Sequence, residues 1–128
     1  MISHVYIGIT DFERALHFYS AVMAALDLQL KFSEPAKPWA GWMSRTAARP
    51  LLLIGRPING EPHTLGNGQM TALLAPSRAA VDQAHAIALE HGASCEGAPG
   101  LRTHYHPNFY GAYFRDLDGN KLCICCHD

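Results

Sequence analysis

"HVYIGITDFERALHFY", residues 4–19, changes period part-way along. Val5, Ile7 and Ile9 alternate with His4, Tyr6 and Gly8, the pattern of a strand whose two faces meet different surroundings. From residue 12 onward the apolar residues Phe12, Ala15, Leu16, Tyr19, Val22, Met23 and Leu26 recur at helical spacing. Thr10 and Glu13 stand as a capping box at the helix start. The stretch therefore predicts a strand followed by a helix that lays one apolar stripe on a sheet.

Working outward, "LQLKF" (28–32), "GWMSR" (41–45) and "PLLLIG" (50–55) read as three short strands separated by breaks rich in Pro, Lys and Arg. The unit is βαβββ over about residues 1–57. "INGEPHTLGNG" supplies Gly and Pro for a crossing loop over 58–67, after which the pattern restarts. "QMTALLA" is a strand, and "SRAAVDQAHAIALEHG" is a helix with Ser77 as N-cap and Gly92 just past its end. "ASCEG", "FYGAYFR" and "NKLCICC" are three more strands, completing a second module over about 68–128. His4 lies six residues before Thr10 and Met70 seven before Ser77, so the two hold nearly equivalent places.

Composition bounds the function. A chain of 128 residues is one domain, able to bury enough surface to fold without disulfides. Its net charge of -1, without a block of like charge, argues against nucleic acid and anionic membrane as partners. The first residues lack a signal-peptide pattern and no apolar run approaches the ~20 residues of a membrane span, so a cytoplasmic protein is expected. The four Cys are then expected as thiols or ligands.

Three of those Cys crowd the last strand. By period two, Cys123, Cys125 and His127 share one face and Cys126 takes the other. Two readings stand: a soft metal site, or small hydrophobes filling a concavity. If Cys123 lines a concave site, a thiol reagent should reach it before Cys126.

The two βαβββ units, the strand-one His followed by "DFERALHFY", and the late "RDLDGNKL" together resemble the vicinal oxygen chelate superfamily, which includes glyoxalases, extradiol dioxygenases and bleomycin-resistance proteins. The resemblance runs nearly end to end. It implies an α+β fold in which the two modules form a curved, incompletely closed eight-stranded mixed sheet with helices on the outer face, and a concave side that holds a divalent metal. Carried over residue by residue, His4 matches the first ligand position, Met70 stands where a second His or Gln is expected, and Cys123 where a Glu is expected. That set is softer than two imidazoles and a carboxylate, and suits Zn if any metal is held; otherwise no cofactor is implied.

In related proteins the loop before strand seven edges the cavity, which makes His104 and His106 candidates for catalysis or substrate positioning. Tyr113 joins them, ten residues before Cys123 across the "DLDGN" turn. The resemblance implies a glyoxalase-like protein, lyase or dioxygenase-like if catalytic, that acts on or binds a small molecule at an altered metal site. The alternative is metal-independent small-molecule binding of the bleomycin-resistance kind. A homodimer is expected, because the sheet edges need covering.

Overall fold

A computed structural model describes residues 1–128. The chain forms two compact units, Met1–Leu65 and Gly66–Asp128. The first contains β1 (His4–Gly8), α1 (Phe12–Ala25), β2 (Gln29–Glu34), β3 (Trp39–Met43) and β4 (Leu51–Gly55). The second contains β5 (Thr71–Leu74), α2 (Arg78–Glu90), β6 (Ser94–Leu101), β7 (Tyr110–Arg115) and β8 (Lys121–Cys126). All eight expected strands and both helices are present, and the fold is α+β.

Each module is one mixed four-stranded sheet with its helix packed on one face, and neither sheet closes into a barrel. The strand orders are β1-β4-β3-β2 and β5-β8-β7-β6. The first and last strands of each module run parallel, and the remaining pairs run antiparallel.

The expected capping box at Thr10 is corrected. Asp11 is the N-cap of α1, its carboxylate accepting from the Arg14 backbone N–H at 3.2 Å. A carboxylate at this place also meets the positive end of the helix dipole, an advantage that Thr10 lacks. In α2 Ser77 caps as expected, accepting from Ala80 N–H at 3.1 Å. Counted from the true caps, His4 and Met70 lie the same seven positions upstream, of Asp11 and Ser77 respectively.

That common offset aligns the modules. It makes Ile54 equivalent to Ile124, Gly55 to Cys125, Gly41 to Tyr113 and Tyr19 to His85, and the strand pairings agree. In module one, α1 buries Phe12, Phe18, Tyr19, Val22 and Met23 over Ile7, Trp42 and Ile54. Tyr19 meets Trp42 with ring centroids 6.2 Å apart. In module two, α2 presents Ala80, Val81, Ala84 and Ala88, whose small side chains bring the helix close to Phe114, Leu122 and Ile124. His85 there meets Phe114 at 6.4 Å, repeating the ring pair of module one. Each fully buried Ile or Leu in these cores stabilises the fold by about 1.5–3 kcal/mol.

β6 runs on to Leu101, beyond the expected "ASCEG". It crosses Gly97, Pro99 and Gly100 through irregular pairings with β7. As an edge strand it tolerates a proline that a central strand would reject. At the β7–β8 turn, buried Asp116 accepts from the backbone N–H groups of Asp118 and Asn120 and from the Asn120 side-chain amide, which satisfies its charge. Gly119 occupies the left-handed region there, at φ 91°.

Candidate functional site

The face of each sheet away from its helix carries the residues that sequence pattern marked. In module one, register places His4 with Leu51, Tyr6 with Leu53 and Gly8 with Gly55 on that face. β3 adds Trp39 opposite Gly55 and Gly41 opposite Leu53. Glycine is needed at these crossings. A Cβ on Gly55 would collide with the Tyr6 hydroxyl and Trp39, and one on Gly41 with Leu53 and Phe32. A Cβ on Gly8 would strike the imidazole of His63.

The result is a concavity of about 840 Å³, lined chiefly by Tyr6, Gly8, Trp39, Pro57 and Ile58, with Lys37 and Arg56 as its cations. The Tyr6 hydroxyl donates to the Arg56 carbonyl at 2.6 Å, fixing the ring upright, and burial raises the pKa of this phenol. Trp39 packs edge-on against Phe32 at 4.7 Å, with its Nε1 buried and lacking a partner. His63 Nε2 is likewise buried without one. Of the two tryptophans, Trp39 lines this space and Trp42 belongs to the core. The β1 alternation signals Tyr6 and Gly8; nothing in the sequence marks Lys37, Pro57 or Ile58.

In module two the same face is filled. Ala72 and Tyr113 flank Cys123, and Leu74 and Gly111 flank Cys125. β8 is central in its sheet, and Leu122, Cys123, Ile124, Cys125 and Cys126 are all buried. The β8 cysteines thus pack as small hydrophobes, and Cys95 is the one exposed thiol. Burial does not favour Cys123, at 0% exposure, over Cys126, at 3%, for attack by a reagent.

The implied metal ligands are divided between the two units, His4 in the first and Met70 and Cys123 in the second. Burial first, then the neighbouring Cys125, pushes the free Cys123 thiol up to about 12, so it is held protonated. Met70 lies outside β5 and is 46% exposed. His4 is exposed in module one, with Nδ1 3.0 Å from the Ser3 hydroxyl. Within neither module do three His, Cys, Asp or Glu side chains gather as a metal-holding group.

Two of the three catalytic candidates come together. His104 and Tyr113 line a small polar depression of about 220 Å³ with Glu96, Arg102, Tyr105 and Lys121. Burial first, then the Cys123 thiol, raises the Tyr113 phenol to about 12, so it remains a hydrogen-bond donor. His106 is engaged elsewhere: its Nδ1 accepts from the Asn108 N–H at 3.1 Å, and its Nε2 lies 2.7 Å from His127 Nδ1. His127 Nε2 in turn lies 3.8 Å from Cys125 Sγ.

Comparison with known proteins places the chain. The family model for the glyoxalase/bleomycin resistance protein/dioxygenase superfamily matches residues 1–124. The chain belongs to that superfamily. A glyoxalase/bleomycin resistance protein from Albidiferax ferrireducens is 34% identical, with 98% of each chain covered and a TM-score of 0.87. At 20% identity, a superfamily enzyme from Burkholderia phytofirmans shares the fold, with 98% of each chain covered and a TM-score of 0.70. TioX from a Micromonospora species does so at 18% identity, with 100% of this chain and 99% of its own covered and a TM-score of 0.67. No curated protein matches the sequence. As to membranes, no helix is long and apolar enough to cross one.

Proposed function

We propose that this superfamily member binds a flat, largely apolar small molecule carrying an anionic group, on the open face of module one and without a metal. The observation that carries the reading is the concavity of about 840 Å³ kept open by Gly8 and Gly55 and walled by Tyr6 and Trp39. Its volume suits a drug-sized ligand, its walls are apolar and aromatic, and Lys37 and Arg56 stand ready for a negative charge. The donor chemistry at Met70 and Cys123 supports a metal-free mode.

The probe for this reading is 8-anilinonaphthalene-1-sulfonate, an aromatic anion. Its fluorescence should rise saturably at one site per chain and stay unchanged on addition of EDTA or Zn²⁺. Ile58→Asp changes a fully exposed side chain and should leave the fold intact. It should weaken the probe by about tenfold, equivalent to 1.4 kcal/mol. Equal binding by wild type and Ile58→Asp, or binding that requires the metal, would overturn the reading.

We also propose a homodimer, supported by the sheet orders, which leave β1, β2, β5 and β6 as edges. Light scattering at micromolar concentration should give twice the chain mass of 14.0 kDa, and the mass of one chain would exclude the dimer.

A further inference from the structure

The depression on module two brings together positive charges that the fold does not neutralise. Arg102 and Lys121 stand over the same ring, with the Arg102 guanidinium carbon 5.4 Å and Lys121 Nζ 5.7 Å from the Tyr113 centroid. Neither forms an ion pair, because the acidic residue of this depression, Glu96, is bridged to Arg115.

Arg102 is held in place from several sides. Its Nη1 donates to the Gly100 carbonyl at 2.8 Å and its Nη2 to the Ala98 carbonyl at 2.7 Å. Those bonds use two of the five guanidinium N–H groups and leave three in a fixed fork. The group lies where side chains on Gly97 and Gly100 would otherwise stand, since a Cβ there would come within 3.1 Å of Nη2 and 3.2 Å of Nη1. The Arg102 backbone is fixed as well, its N–H donating to the Phe109 carbonyl at 2.7 Å and its carbonyl accepting from Tyr105 N–H at 3.0 Å. A flexible surface arginine would need none of this support.

We propose that this depression is a binding site for a small carboxylate, separate from the concavity of module one. The Arg102 fork takes the two carboxylate oxygens side by side, a planar match that an ammonium cannot make. Lys121 adds charge, the Tyr113 phenol and the His104 imidazole offer polar contacts, and Tyr105 supplies an aromatic wall. A volume of about 220 Å³ limits the ligand to a short mono- or dicarboxylate, or to the carboxylate end of a longer molecule.

The test titrates malonate and, separately, inorganic phosphate into the ¹⁵N-labelled full chain at constant ionic strength. Perturbed signals should cluster on residues 96–105, 113 and 121, with the Arg102 Nε–H among them, and saturate for malonate with Kd of about 1 mM or tighter. Lys121→Gln, which removes no hydrogen bond of the fold, should weaken malonate several-fold. Arg102→Lys should weaken it at least tenfold while keeping the positive charge. Phosphate should bind more weakly than malonate. Shifts that stay linear with concentration, Arg102→Lys binding as well as wild type, or phosphate binding as tightly as malonate would each overturn the proposal. Because the probe here is malonate and the residues all belong to module two, failure leaves the anilinonaphthalene result untouched.

Discussion

The two modules share element order, pairing and cap-to-strand spacing, yet their open faces differ at equivalent positions. Module one has Gly41 and Gly55 where module two has Tyr113 and Cys125, and Gly8 where module two has Leu74. Glycines leave a broad apolar hollow, whereas the larger side chains fill the face and leave a narrow charged depression. The helix-facing sides stay alike, with Ile54 and Ile124 both at 0% exposure. The scaffold is thus repeated where it makes the core, and diverges where side chains need not interlock with a helix.

The largest expected contrast is in thiol chemistry, since all four Cys lie in module two. Under native conditions a small alkylating reagent should modify Cys95 alone. The other three wait on opening of the sheet, which for a fold stable by about 5 kcal/mol slows them by roughly 10³-fold or more. Peptide mapping by mass spectrometry reads the order, and early labelling of Cys123 would show that module two's open face is not packed as described.

Next comes core equivalence. Ile54→Ala and Ile124→Ala should each destabilise by about 2–5 kcal/mol, measured by urea unfolding. If one costs under about 1 kcal/mol, the two cores are not equivalent and the comparison breaks.

The smallest effect sets apart the two ring pairs. Where module one has Tyr19, module two buries His85, whose pKa is lowered chiefly by desolvation, with a backbone hydrogen bond at Tyr113 and the Asp82 charge opposing. Its Nε2 has no partner. As pH falls through the ordinary imidazole value near 6.5, the unfolded chain takes up a proton that the folded chain resists, so stability drops with pH. Above that value the term vanishes. His85→Leu should flatten the fall in unfolding free energy between about pH 7 and pH 5 relative to wild type; an unchanged slope would mean that His85 charges freely in the fold.

The elements were legible in the sequence because they rest on local chemistry. Alternation marked β1, and the open face it assigned to Tyr6 and Gly8 is the one that lines the concavity. Ser77 and Gly92 bounded α2, with Gly92 at φ 101°. Thr10 misled because two adjacent polar residues both qualified as cap, and charge favoured Asp11. The rest depended on neighbours distant in the chain. The sequence reading ends this strand at "ASCEG", yet β7 pairs on with Gly100 and Leu101, and Gly97 and Gly100 become visible as a bed for Arg102 only once the guanidinium is placed. Spacing found Met70 as the counterpart of His4, but not that the residue lies exposed just before the strand.

The contact between His106 and His127 has a direction. The Asn108 N–H can only donate, so His106 Nδ1 must carry a lone pair; the proton of the neutral ring then sits on Nε2 and points at His127 Nδ1, which leaves the His127 proton on Nε2, toward Cys125 Sγ. One backbone amide thereby sets the tautomer of two rings in series, like a valve that admits flow one way. Asparagine in place of either ring can keep the polarity only if its amide is turned the same way, and a ring that gains a second proton has no acceptor left to offer its upstream donor. The loop before β7 and the residues after β8 are therefore joined by a link that can be broken at either ring while the backbone pairing of β7 with β8 stays in place.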